Sequence, residues 1–169
     1  MKKLLLLLLL APVWAAATVA DSSASGFTVK ITLSLKATPA DVYKKLLHPG
    51  DWWDPAHTFS GDAHNLGIEE KPGGCWCEKL PNGGGVKHME VSTLMPGVRI
   101  VMSGGLGPLQ NVAAAGSMIF AIAKDGEGTK LTFTYSVVGY QATGMTSWAA
   151  PVDGVLTDQL NRFKEYVEK

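Results

Sequence analysis

Near Thr146 the hydrophobic period of this chain changes from two to three-and-four, and that switch constrains the fold more than any other feature. Trp148, Val152, Val155, Leu156, Leu160, Phe163 and Val167 make an apolar stripe at helical spacing. Asp153, Asp158, Arg162, Lys164 and Glu165 fall mainly off it. Pro151 is expected in the first turn, where a missing amide costs little. A stripe this wide needs a concave apolar partner, and the only candidate is the strand-like run that precedes it.

That run starts at residues 27–36, where Val29, Ile31, Leu33 and Leu35 alternate with Lys30, Thr32, Ser34 and Lys36. A period of two marks a strand with one buried face. Thr38-Pro39-Ala40-Asp41 then reads as a capped helix start. Val42, Tyr43, Leu46 and Leu47 share its apolar face, and His48-Pro49-Gly50 ends it. Residues 51–67 are irregular and hold Trp52, Trp53, His57, Phe59 and His64. Strand signals follow at 66–70, 75–79, 86–95, 99–103, 116–124 and 129–138, with turn formers between them. Leu131, Phe133, Tyr135 and Val137 share one face of the last strand. This order predicts an α+β fold built on one long antiparallel sheet.

The start of the chain reads differently. Lys2-Lys3 precedes the apolar run Leu4 to Leu10, and small residues follow at Ala15, Ala16, Ala17 and Ala20. This succession predicts a signal peptide over residues 1–20, cleaved after Ala17 or Ala20, and an exported (periplasmic or secreted) protein. The apolar run is shorter than the ~20 residues that span a bilayer, so no membrane span is expected once the signal is removed. Loss of Lys2 and Lys3 leaves 13 basic against 15 acidic residues, net −2. No basic patch suggests a nucleic-acid partner.

Four stretches resemble the START-like (SRPBCC, helix-grip) superfamily, in particular its polyketide-cyclase-like and heat-shock-protein-90 ATPase activator-like branch. Residues 37–43 (ATPADVY) are similar to the family's helix start. His48-Pro49 to Trp52-Trp53, Lys71-Pro72-Gly73-Gly74 with Trp76, and residues 128–132 (GTKLT) carry the rest of the likeness. The resemblance implies a curved antiparallel sheet wrapped around a long C-terminal helix. Residues 21–26 (DSSASG) read by themselves as a short polar lead-in, and the length that remains suits a single domain over 27–169. The resemblance carries over no catalytic residue. A chaperone-activating role is not expected, because an exported protein would not meet a cytosolic ATPase.

Cys75 and Cys77 are the only cysteines. Two positions apart on a straight strand, their Cα atoms would be about 6.6 Å apart, at the long edge of disulfide geometry. Free thiols, a disulfide and a soft-metal pair joined by His57, His64 or His88 all stay open. Cys75 and Cys77 are carried forward as a redox-capable pair, and no complete metal site is assigned. Alternation points both away from the face that bears Trp76. The chain lacks Gly-x-Ser-x-Gly, His-Glu-x-x-His and phosphate-loop motifs, and Gly104-Gly105-Leu106-Gly107 does not lead into a strong helix. No catalytic residue and no cofactor is expected.

The aromatic residues are the other constellation. Trp53, Trp76, Phe133, Tyr135 and Trp148 are expected to wall a cavity between sheet and helix. The function expected is binding or carriage of a small apolar or amphipathic molecule. The alternatives are a cyclase- or dehydratase-type enzyme acting on a hydrophobic substrate in the same cavity, and a protein-interaction module with a filled core.

Overall fold

The computed structural model describes residues 18–169; the signal segment expected over residues 1–20 lies, up to residue 17, outside the described residues. The first strand, β1 (Thr18–Ser23), pairs antiparallel with β2 (Gly26–Leu35). All of the expected lead-in over 21–26 except Ala24 and Ser25 is therefore strand, with Asp21 opposite Thr28 and Ser22 opposite Phe27. Asp21, Ser22 and Ser23 are exposed, so backbone pairing onto β2 makes this strand and apolar alternation does not. β2 itself follows the alternation: Val29, Ile31, Leu33 and Leu35 are buried while Lys30, Thr32 and Ser34 are exposed.

Helix α1 (Pro39–Leu46) starts where expected, with Thr38 Oγ1 accepting the Asp41 amide at 3.2 Å. It buries Val42, Tyr43 and Leu46. Three short 3-10 turns at Pro49–Asp51, Pro55–His57 and Ala63–Asn65 then carry the chain across to the far edge of the sheet. From there β3 (Leu66–Ile68), β4 (Cys75–Lys79), β5 (Gly85–Met95), β6 (Arg99–Ser103), β7 (Ala113–Asp125) and β8 (Gly128–Tyr140) run back as a meander. The last strand docks on β2, giving one eight-stranded sheet in the order β1-β2-β8-β7-β6-β5-β4-β3. Its neighbouring strands are all antiparallel. β7 and β8 overrun their apolar patterns, because each supplies the other's ladder out to Ala113 opposite Tyr140.

Helix α2 (Thr146–Glu168) closes the fold and packs against β1, β2 and α1. It begins at Thr146, which puts Pro151 in its second turn rather than the first. The apolar stripe divides in two. Leu156, Leu160, Phe163 and Val167 are buried, whereas Trp148, Val152 and Val155 are only half-buried. The far end of α2 is tied to α1 by Lys45, whose Nζ donates to the carbonyls of Tyr166 and Val167. A line of rings in edge and tilted contact runs from helix to sheet: Phe163 to Trp52 at 5.1 Å, Trp52 to Trp53 at 5.5 Å, Trp53 to Trp76 at 5.2 Å. Such contacts add to the area these rings bury. Among the described residues, no helix is long and apolar enough to cross a membrane.

Candidate functional site

The half-buried end of the α2 stripe faces a cavity of about 310 Å³. Trp148, Val152, Val155 and Leu156 form the helix side. Trp53, Phe59 and Leu66 come from the irregular segment and its end, and Trp76 and His88 from β4 and β5. Leu106 and Leu109, on the glycine-rich loop and the 3-10 turn after it, close the remaining side. The wall is largely apolar, and the cavity explains why this part of the stripe stays unpacked.

One carboxylate–imidazole pair belongs to that wall. Trp76 and Glu78 are two apart on β4, so both point inward, and Glu78 is 1% exposed. His88 reaches the same face by a register shift. Trp76 is opposite Met89 and Cys77 opposite Lys87, which leaves His88 as the extra residue of a β-bulge. His88 and Met89 are consequently both buried, where strict alternation would expose one of them. His88 Nε2 lies 2.9 Å from Glu78 Oε2, and the Ser60 amide donates to Glu78 Oε1. Burial pushes the Glu78 carboxyl up, but hydrogen bonds from Ser60, Phe59 and His88 outweigh it and hold it below the usual carboxylate range. The His88 ring also lies against Phe59, with centroids 5.9 Å apart.

The mouth is organised by Gln159, a buried amide on α2. Its Oε1 accepts the Asp54 amide at 2.7 Å, so its Nε2 is the group that donates to His57 Nδ1 at 2.8 Å. With Nδ1 accepting, a neutral His57 carries its proton on Nε2. Asp54, His57 and Asp158 bring ligand-type atoms within 4.8 Å of one another. These groups already have protein partners: Asp54 caps the Ala56 amide and faces Arg162, His57 is held by Gln159, and Asp158 also accepts from Gln159. They account for the shape of the mouth and are not assigned a metal.

Tyr135 holds the loop side. Its hydroxyl accepts the Leu106 amide at 2.8 Å and donates to the Gly104 carbonyl at 3.0 Å. Burial pushes this hydroxyl up to about 12, against the Leu106 hydrogen bond, which favours the anion. The ring fits only because residue 116 on the neighbouring strand is glycine: a Cβ there would meet Tyr135 Cε2 at 2.6 Å. Tyr135→Phe should cost about 1–3 kcal/mol of stability, because Leu106 N–H and Gly104 C=O lose their partner. Hydrogen exchange should speed up at residues 104–109 ahead of the rest of the sheet; unchanged exchange there would show that the loop is held by other means.

Solved structures share this architecture. No protein-family model and no curated protein matches the chain. An uncharacterized protein from Rhizobium leguminosarum superposes with a TM-score of 0.62 at 22% identity, over 92% of this chain and 99% of that one. The Aha1 dimer from Colwellia psychrerythraea gives 0.56 at 19% identity, over 83% and 96%. The di-domain ARO/CYC StfQ from the steffimycin biosynthetic pathway gives 0.58 at 16% identity, over 86% of this chain and 51% of that one. The chain has the helix-grip fold that these structures share.

Within the helix grip the expected wall residues separate. Trp53, Trp76 and Trp148 line the cavity. Phe133 and Tyr135 are not among its lining residues. β8 lies next to β2, deep in the sheet, so its inward face meets the packed core. Phe133 is spent against Phe120, with centroids 5.0 Å apart, and Tyr135 acts on the cavity only through the loop. The histidines separate too: His57 is at the mouth, His88 is in the wall, and His64 is exposed and bonded to Asp62. Glu78 did not figure among the expected site residues, and His88 figured only as one candidate to complete a metal site with the cysteines. Glu78 had a signal, since it shares a strand face with Trp76.

Cys75 and Cys77 form a disulfide, with Cα atoms 5.3 Å apart. Straight-strand spacing overstates their separation, because β4 is not straight beside the β5 bulge. At this distance a bridge lies within its ordinary Cα range. Both residues are half-buried beside Trp76 and neither lines the cavity.

Proposed function

We propose that this chain is an exported protein that binds a small apolar or amphipathic molecule in the cavity between sheet and α2. The observation that carries the reading is the unpacked end of the α2 stripe, where Trp148, Val152 and Val155 face open volume instead of core. A volume of about 310 Å³ lies at the small end of the range for ligand sites, suiting a compact ligand of one or two rings. Three tryptophans on the wall offer flat apolar contact. Such a ligand should therefore quench tryptophan fluorescence saturably, and Trp148→Ala should weaken its binding about tenfold or more, through lost contact area. Absence of saturable quenching across a broad panel of lipids and aromatic metabolites would sink the reading.

Export is supported by the Lys2-Lys3, polyleucine and alanine succession and by the Cys75–Cys77 bond, since disulfides persist mainly outside the reducing cytosol. Of the two cleavage sites, the one after Ala17 is preferred. Cleavage after Ala20 would remove Thr18 and Val19, which pair with Lys30 and Val29. N-terminal sequencing of the exported protein should begin at Thr18. A chain that retains Met1 would overturn the export reading.

A second reading, an enzyme of cyclase or dehydratase type in the same cavity, is favoured by one observation. His88 is a wall imidazole held by a buried carboxylate, the pairing that general bases use. The likeness to an ARO/CYC structure bears on the same reading. Chromatography with mass spectrometry of a ligand before and after incubation discriminates: an unchanged compound supports binding, and a new isomer or loss of water supports the enzyme.

A further inference from the structure

Two side chains of the cavity wall carry a buried polar atom with no protein partner: His88 through Nδ1 and Trp76 through Nε1. They are 5% and 2% exposed, and their ring centroids lie 6.2 Å apart. The two atoms have opposite sense. Trp76 Nε1–H is always a donor. The sense of His88 Nδ1 is set by the network behind it. Glu78 Oε1 takes the Ser60 amide and Oε2 faces His88 Nε2. A carboxylate only accepts, so Nε2 carries the hydrogen, and in the neutral imidazole Nδ1 is left with a lone pair. The hydrogen bonds that hold the Glu78 carboxyl low keep it an acceptor at neutral pH. Thus a donor and an acceptor sit on adjacent rings in a largely apolar wall, and burying either unpaired is costly.

An O–H group placed between the two rings carries the matching pair, a hydrogen for His88 Nδ1 and a lone pair for Trp76 Nε1–H. We infer that the ligand of this cavity is a small apolar molecule bearing a hydroxyl group, a phenol or an alcohol, anchored between His88 and Trp76. The inference rests on the ligand-binding reading above and narrows its chemical class. A hydrocarbon leaves both atoms unpaired. An ether pairs only with Trp76. A carboxylate has no proton for His88 Nδ1 and brings a second anion towards Glu78.

The test is calorimetric titration of the purified protein with three probes of similar shape: 4-propylphenol, propylbenzene and 4-propylanisole. 4-Propylphenol should bind about tenfold or more tighter than either of the others. Glu78→Gln should then abolish the preference for the phenol over the anisole. The glutamine oxygen stays on the Ser60 amide and its NH2 faces His88 Nε2, so the imidazole proton moves to Nδ1 and the wall offers two donors. In that variant the advantage of the phenol over the anisole should disappear. If Glu78→Gln does not fold, the nitrogen-15 signal of His88 Nδ1 in the unaltered protein gives the same answer: it should shift with 4-propylphenol and not with propylbenzene. Three affinities within about twofold of one another would overturn the hydroxyl anchor, with a bound water serving the two atoms, and leave the cavity reading standing. No binding by any of the three, in a protein that also fails the wider panel, would overturn both.

Discussion

Phe163→Ala should cost about 3–5 kcal/mol of unfolding free energy, the largest single loss expected from the core of this protein. The ring is fully buried and sits on the packed half of the α2 stripe, edge-on to Trp52 at 5.1 Å. Truncation removes the apolar area that fastens α2 to the irregular segment and leaves a void that a sheet and a helix tied at both ends close poorly. The consequence extends to the site, since Trp52 contacts Trp53 and Trp53 stands in the cavity wall. Ligand binding should therefore weaken along with stability. Urea unfolding measures the first effect and fluorescence titration the second. A stability loss under about 1 kcal/mol would mean that the ring is not part of the packed core.

Glu78→Ala should be nearly as damaging at neutral pH, about 2–4 kcal/mol, for an electrostatic reason. The carboxylate is the buried acceptor for the Ser60 amide and for His88 Nε2. Its removal leaves both donors without a partner and away from water. The pH dependence has a definite sign. The folded-state pKa lies below the ordinary value of 4.5, so the ionised form is favoured by folding. This contribution is fully present above the ordinary value and is lost as pH falls through the lower folded value. The stability gap between the unaltered protein and Glu78→Ala should be widest near neutrality and narrow in acid. Denaturant unfolding of both proteins at neutral pH and at about pH 3 reads the gap, and a gap that widened in acid would contradict the assignment.

Local signals settled much of this architecture. The alternation of Val29, Ile31, Leu33 and Leu35, the Thr38 cap and the switch to helical period at Thr146 are short-range consequences of side-chain direction and backbone capping, so they can be read residue by residue. The same reasoning placed Trp53, Trp76 and Trp148 at a sheet-helix junction, and three rings of the expected five do meet at the cavity. Phe133 and Tyr135 were not separable from them by pattern. An inward-facing ring on β8 looks the same in sequence whether the strand lies in mid-sheet or beside the cavity. Strand order, with β8 between β2 and β7, makes the difference.

The buried pair shows the division most clearly. Glu78 was legible, two residues from Trp76 on a strand of period two. His88 was not: straight alternation with Met89 and Val91 inward sends His88 to solvent, and only the bulge against Cys77 turns it in. The edge strand β1 escaped in the same way, because solvent-facing edge pairing needs no apolar period. By itself, then, the sequence determined most of the elements, most of their buried faces and the grip of a sheet on α2, all set by local geometry and the burial of apolar stripes. Only the tertiary structure decided which half of the stripe is packed, where the cavity opens and which polar atoms line it. Those depend on register shifts and strand order, which are properties of pairs of distant segments and are written in neither segment alone.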